Sequence, residues 1–549
     1  MKPDLKLFPV PKKAKITEFC GGTDRMIEEI VDRSLPAEGY RLIIGSEGVR
    51  LAGGSETGLF YGRGTLDKLR RLYPEGLPCL EIEDAPDFPV RGFLLAGGGN
   101  PETMKKLILQ LARAGINELQ LKIRDNFLLS GHEEICRKTG VVWTPQILRE
   151  LDSLCRENHI RLVPFINSCG HFEVFLEEGK YRKLALYPHG GFTFPWGDVP
   201  DSGTMLAMND ESFDFLTGIY EQILPCFSAD TVNIGCDETW ELGDRFAEYC
   251  RFINRIAEWL RRRGKKCQIW GDILLQCPET VRLLDPEISI LVWGYNDGYP
   301  FERNLRVFTE QGRTALACPG TSSYLSVCGR SGTARHNIES AAEAARAVSA
   351  PGILNTDWQF LVRPWCLMYG PLAHGAGAGW NLDAAVQADS MAAEANLLFY
   401  DGNEPELCRW VERFGHLSDI LGTEIVVEDR STLYCLFEHR FNPETIRAYG
   451  ITEEKLRMFD RELGELRNAL EKLRTATPEG ADAVTELRHA LDLADMGGRM
   501  AWRLLGFAKN GTAELKAKIL SDEAALWNCY HPSAGLENAL KSLNRMMEC

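Results

Sequence analysis

From Val90 onward the chain alternates between short apolar runs and longer amphipathic stretches. The apolar runs are Val90–Leu95, Glu118–Ile123, Ile160–Ile166, Thr231–Cys236, Lys266–Trp270, Ile288–Trp293, Arg313–Cys318 and Gly352–Thr356. All have strand length and lie between turn-forming or helical segments. The intervening helical patterns include Pro101–Ala114, Pro145–Asn158, Asp210–Leu224 and Asp244–Arg263. Eight β-runs separated by helices, over roughly 300 residues, predict an α/β fold closed into a (β/α)8 TIM barrel. An open doubly wound sheet would carry a G-x-G-x-x-G phosphate turn after its first strand. Leu95-Ala96-Gly97-Gly98-Gly99-Asn100 is Gly-rich without that spacing and reads as a tight βα loop.

Outside the barrel the pattern changes. Tyr40–Ile44 and Val49–Ala52 read as strands joined by a turn at Glu47-Gly48. Leu59, Leu66, Leu69 and Leu72 then recur at helical spacing, and Asp84–Pro89 reads as a linker. Residues 1–84 are therefore expected to form a small N-terminal α/β domain, and 85–394 the barrel. From 395 to 549 the strands stop. Ile451–Thr475, Ala481–Asn510 and Ala513–Trp527 are long amphipathic patterns, which predicts an α-helical C-terminal domain. A homodimer, where formed, is expected to bury a face of that region.

Composition narrows the function classes. The net charge of −16 argues against nucleic acid or an anionic membrane as partner, because either wants a basic footprint. The 17 cysteines show no C-x-x-C spacing, so no zinc site is expected. Several of them, such as Cys236 and Cys318, sit in apolar runs and read as small core residues. Unpatterned thiols suit a reducing compartment, and no stretch has the apolar length of a signal peptide or a membrane span. A cytoplasmic location is expected, with no metal and no cofactor.

In a barrel, reactive groups stand where strands end at the C-terminal face. Strand four runs into Asn233-Ile234-Gly235-Cys236-Asp237-Glu238-Thr239-Trp240. Two crowded carboxylates have their pKa values driven apart, which suits acid and base work at one pH. Strand three ends in Asn167-Ser168-Cys169-Gly170-His171 and strand two in Arg124-Asp125-Asn126-Phe127. A histidine between acids can be oriented by one and tune the other. Strands five, six and eight end in Trp270, Trp293 and Trp358, and Tyr324 follows strand seven. Such rings wall a pocket suited to the apolar C–H faces of a sugar.

These segments resemble glycoside hydrolase family 20, the β-N-acetylhexosaminidases, and in particular an intracellular bacterial branch. The likeness covers Gly58-Leu59-Phe60-Tyr61-Gly62, Arg91-Gly92, Asn117–Leu121, Val163-Pro164 and Gly170-His171. It is strongest at Asn233–Thr239, and continues through Cys318–Ser323 and Thr356-Asp357-Trp358. The resemblance implies a substrate-assisted retaining mechanism, in which the sugar's own 2-acetamido oxygen attacks the anomeric carbon and forms an oxazolinium. Asp237 would orient the acetamide, and Glu238 would act as acid and then base. His171, held by Asp125, would support Glu238. Tyr324 would hydrogen-bond the acetamide oxygen, and Trp270, Trp293 and Trp358 would enclose the sugar. Asn167 and Asp357 join the expected substrate-binding set.

Two departures stand out. The family usually places an Arg just after strand one, gripping distal hydroxyls, where this chain has Gly97-Gly98-Gly99-Asn100. The family usually follows the strand-eight Trp with an acid, where this chain has Gln359. Arg363 or Arg124 is expected to restore a grip from a new direction. Two other functions compete. One is a glycosidase acting on a sugar without the acetamide, with Asp272 or Asp357 as its second carboxylate. The other is an inactive glycan-binding homologue.

Overall fold

The computed structural model describes residues 5–19, 26–194, 201–358, 364–422, 429–531 and 535–548. Its N-terminal sheet has five strands: β1 (Lys13–Phe19), β2 (Ile27–Val31), β3 (Tyr40–Gly45), β4 (Gly48–Gly53) and β5 (Pro78–Asp84), in the order β1-β5-β3-β4-β2. Leu42, Ile44, Leu51 and Ile82 alternate onto one face and meet Leu59, Leu66 and Leu69 of the helix Glu56–Leu72. Ser55 starts that helix by accepting from Thr57 N at 3.1 Å. Strands β3 and β4 and the helix match the hydrophobic pattern. β2 escapes it because its side chains are exposed throughout, so it has no apolar face to betray it.

The sheet docks on the barrel through Arg91. This side chain is 1% exposed and bonds Glu38, Tyr61, Gly115 O and Phe88 O. Cys79 of β5 is disulfide-bonded, so not every cysteine of the chain is a free thiol.

The barrel closes as β6 (Val90–Ala96), β7 (Glu118–Lys122), β8 (Arg161–Phe165), β9 (Thr231–Asn233), β10 (Lys266–Trp270), β11 (Ser289–Trp293), β12 (Ala315–Cys318) and β13 (Gly352–Trp358), with β13 pairing back to β6. All eight anticipated β-runs are strands, and all barrel pairings are parallel. Side-chain alternation sorts each strand. Leu94, Phe165, Trp270, Leu291, Leu316 and Leu354 point into the barrel, while Phe93, Leu95 and Ile353 pack outward under the helices. β9 is shorter than its apolar run because Gly235 and Cys236 turn left-handed at φ 69° and 72°.

Beyond β13 the described chain is helical: Cys366–Trp380, Met391–Tyr400, Pro405–Phe414, Glu453–Lys472, Pro478–Leu504, Thr512–Tyr530 and Leu536–Met546 are its longer helices. The end of Thr512–Tyr530 seats on the loop after β6. Asn100 N donates to Tyr530 O at 2.7 Å, and Asn100 Nδ2 donates to Cys529 O at 2.9 Å. Among the described residues, no helix is long and apolar enough to cross a membrane.

Candidate active site

The loop after β9 carries Asp237 and Glu238 to the C-terminal mouth of the barrel. Its backbone is strained. Cys236 and Glu238 have φ of 72° and 49°, and His171 on the neighbouring loop has φ 60°. Non-glycine residues in this region cost about 1–3 kcal/mol each and persist where surroundings over-determine them. Here the Tyr249 hydroxyl donates to Cys236 O at 2.6 Å, and Glu238 N donates to Asp272 Oδ2 at 3.0 Å. Gly170 allows the two loops to meet, since a Cβ there would stand 2.9 Å from Asp237 O.

The two carboxylates live differently. The Asp237 side chain is 11% exposed, and that of Glu238 is 37%. His171 Nε2 lies 3.3 Å from Asp237 Oδ2 and 3.6 Å from Glu238 Oε2. Asn167 Nδ2 donates to Asp237 Oδ1 at 3.5 Å. Burial pushes the Asp237 carboxyl up, but the His171 imidazole and the Lys122 ammonium outweigh it and hold the group below its ordinary value. Burial and the charge of Asp237 push Glu238 above its ordinary value. For His171, burial opposes the charged form, yet Asp237 wins and raises it. One acid is thus kept ionised and its neighbour kept protonated to higher pH, the separation that acid–base work needs.

Aromatic rings build the rest. Trp293 stacks on Tyr295 with centroids 5.2 Å apart. Tyr295 meets Tyr324 edge-on at 5.8 Å and accepts a hydrogen bond from Trp358 Nε1 at 2.8 Å. Trp358 and Trp270 lie 5.9 Å apart over Phe165. Tyr295 was missed from sequence, although it stands two residues past a strand-ending Trp and so on the same side. Asp429 was also missed. It reaches the site from beyond the barrel, with its N–H donating to Asn296 Oδ1 at 3.0 Å, and its charge helps raise Glu238.

Several expected roles change. Asp125 does not hold His171. Its carboxylate pairs with Arg124 at 3.4 Å, because the Arg124 guanidinium is fixed next door over the Phe172 ring. Arg124 itself is buried there, with its guanidinium over the Phe172 and Phe175 rings. Asp357 is fully buried, accepting from Thr321 Oγ1 at 2.7 Å and Ser323 Oγ at 2.9 Å. It faces the opposite side of β13 from Trp358, as strand alternation requires. Trp270 has no exposed surface and packs in the barrel interior beside Trp358 instead of walling a pocket. Asp272 is buried under the Glu238 backbone, where burial and Asp237 push it up to about 7. Asp237, Glu238, His171, Asn167, Trp293 and Trp358 do come together, and Tyr324 is buried beside them against Tyr295. Arg363 lies outside the described residues. No group of three or more His, Cys, Asp or Glu side chains among the described residues could hold a metal.

A parallel barrel with a carboxylate pair at its C-terminal mouth, one acid's proton affinity lowered and its neighbour's raised, and aromatic rings at the neighbouring strand ends, has the arrangement of a (β/α)8 glycoside hydrolase. The chain belongs to glycosyl hydrolase family 20: residues 7–85 match that family's domain 2, and residues 99–359 match its catalytic domain. Similar curated proteins include a beta-hexosaminidase of Akkermansia muciniphila, 24% identical over 311 residues, which are 48% of this chain and 61% of that protein. A beta-hexosaminidase of Porphyromonas gingivalis is 26% identical over 315 residues, 49% of this chain and 39% of that protein. The chain thus spans less than two thirds of either relative. Among solved structures, a chitobiase of Flavobacterium johnsoniae shares the fold with TM-score 0.57 at 15% identity, over 99% of both chains. An exo beta-N-acetylglucosaminidase of Vibrio harveyi does so with TM-score 0.58 at 16% identity, over 71% of this chain and 76% of that one.

Proposed function

We propose that the protein is an exo-acting β-N-acetylhexosaminidase that works by substrate assistance, with a rewritten contact to the sugar's distal hydroxyls. One observation carries the reading: neighbouring carboxylates whose proton affinities are driven in opposite directions. Asp237, ionised, orients the acetamide N–H and offsets the positive charge that grows on nitrogen as the acetamide oxygen attacks. Glu238, protonated, gives its proton to the leaving oxygen and later takes one from water. His171 bridges the two. Tyr324 donates to the acetamide oxygen, and Trp293 and Trp358 flank the sugar. The family match supports the reading, as do relatives named beta-hexosaminidase and exo beta-N-acetylglucosaminidase.

The rival glycosidase needs a second carboxylate across the pocket, about 5–9.5 Å from the acid. Its two candidates sit badly for that task. Asp272 is engaged beneath the Glu238 backbone, and Asp357 is buried among hydroxyls. The test is a panel of aryl β-glycosides with and without the 2-acetamido group. Release is expected only from 2-acetamido substrates, with inhibition by a thiazoline mimic of the oxazolinium. Equal release from plain glucosides would overturn substrate assistance. Glycan binding without turnover would favour an inactive homologue.

A further inference from the structure

The alternation that fills the barrel interior also delivers one basic side chain to the pocket. Glu118, Gln120 and Lys122 share a face of β7, with Leu119 and Leu121 on the other. The direction of that face is fixed by Gln120, which donates to Gln268 Oε1 and accepts from Asn233 Nδ2, each at 2.9 Å, across the barrel interior. Two residues nearer the C-terminal mouth stands Lys122, in register with Phe165. Its Nζ lies 5.7 Å from the Phe165 ring centre and 5.6 Å from that of Trp358. The ammonium is therefore beside the platform on which a sugar would rest.

The charge of Lys122 is only partly offset by carboxylates at a distance, and its protons are not used. Burial is the strongest influence on it and, with the Arg124 charge, lowers its proton affinity against the pull of Asp237, Asp125 and Glu173. Asp237 is engaged by His171, and Asp125 by Arg124. Among the described residues, no carboxylate comes within ion-pair distance of Lys122 and no acceptor takes its N–H groups. A half-buried ammonium with unused donors is costly until something accepts from them. Because Asp237, Asp125 and Glu173 already place negative charge near it, a further anion would be repelled, and the acceptor its donors fit is a neutral oxygen.

The place the family gives to an arginine is closed. A Cβ on Gly98 would meet the Trp143 ring at 2.3 Å, and one on Gly99 would meet Tyr530 O at 2.9 Å. We propose that Lys122 is a substrate-binding residue that sets specificity, donating from strand two to a ring hydroxyl of the sugar lying against Trp358. This rests on the hexosaminidase reading, and it replaces a grip from strand one by a grip from strand two.

The test compares wild type with Lys122→Met, which keeps the stem and removes the charge, and Lys122→Gln, which keeps a donor. Substrates are an aryl 2-acetamido-β-glycoside, its 3-, 4- and 6-deoxy analogues, and its 6-O-sulfate. Lys122→Met is expected to lose about 10- to 100-fold in kcat/KM, the size of one hydrogen bond to a charged group, with Tm unchanged and Lys122→Gln intermediate. One deoxy analogue should cost wild type a similar factor and cost Lys122→Met almost nothing more. Unchanged kcat/KM in Lys122→Met, or an equal loss on every analogue, would overturn the proposal. So would a wild-type preference for the sulfate that vanishes in Lys122→Met, since that marks a reader of anions. Wild-type inactivity on every 2-acetamido glycoside would break the hexosaminidase reading instead. Calorimetric binding of free N-acetylhexosamines to wild type and Lys122→Met would then still decide the residue: weaker binding to the variant supports it, and equal binding overturns it.

Discussion

His374 is fully buried on the helix Cys366–Trp380, between two carboxylates from separate helices. Its Nδ1 lies 2.8 Å from Glu394 on Met391–Tyr400, and its Nε2 lies 3.2 Å from Glu339 on Ser331–Ala347. Burial alone would strip its proton, but Glu394 and Glu339 more than reverse that and raise the group to about 9. Against an ordinary value near 6.5, that difference is worth about 3 kcal/mol by linkage. Removing one partner from a buried ion pair independently costs about 3–5 kcal/mol. The sign follows from the direction of the shift. A raised folded-state value gives stability that is complete below pH ~6.5 and fades as pH climbs through about 9. His374→Gln should therefore be less stable than wild type by about 3 kcal/mol at pH 6, with the gap closing towards pH 9.5. Urea unfolding of both proteins at four pH values, followed by tryptophan fluorescence, measures it. A gap that stays constant from pH 6 to 9.5, or that is under about 1 kcal/mol throughout, would refute a charged histidine at the centre of this cluster.

Two further outcomes concern catalysis. With Asp237 held low and Glu238 pushed high, the pH profile of kcat/KM should be bell-shaped. Its acid limb should lie below, and its alkaline limb above, the range of ordinary carboxylates. Glu238→Gln should lose about 10²–10⁴ in rate on a poor leaving group and lose the alkaline limb on an activated one; an alkaline limb that persists assigns the proton elsewhere. Gly170→Ala would press a methyl against Asp237 O, so kcat should fall well before Tm does. An unchanged kcat would mean that the acid pair tolerates displacement.

How much of this was legible in the sequence depends on what periodicity can carry. The eight barrel strands stand out because each is buried on both faces, and the glycine loop after β6 is placed correctly. Strand ends are equally legible, which is why Asp237, Glu238, His171 and Trp358 fall at the mouth. Side-chain direction is harder. Asp357 and Trp358 are adjacent, so alternation sends one into the wall and the other into the pocket. The same parity, counted from Gln120, would have found Lys122, and counted from Trp293 would have found Tyr295. Asp125 looked like a partner for His171 only because its pairing with the preceding Arg124 is a tertiary fact, fixed by Phe172. Asp429 leaves no local signal at all, since it comes from a segment that follows the last strand by about seventy residues.

The helix that ends at Tyr530 grasps Asn100 with two carbonyls and fills the space over Gly99. In effect the helical tail is a keystone for the first stave, and it has used up the room in which that stave could grow a longer side chain. On the proposed hexosaminidase reading, variation in what this scaffold recognises is channelled to the second stave and to the segment bearing Asp429. Loosening the tail by heat or by mutation would be felt first at the mouth of the first stave, far along the chain from the break.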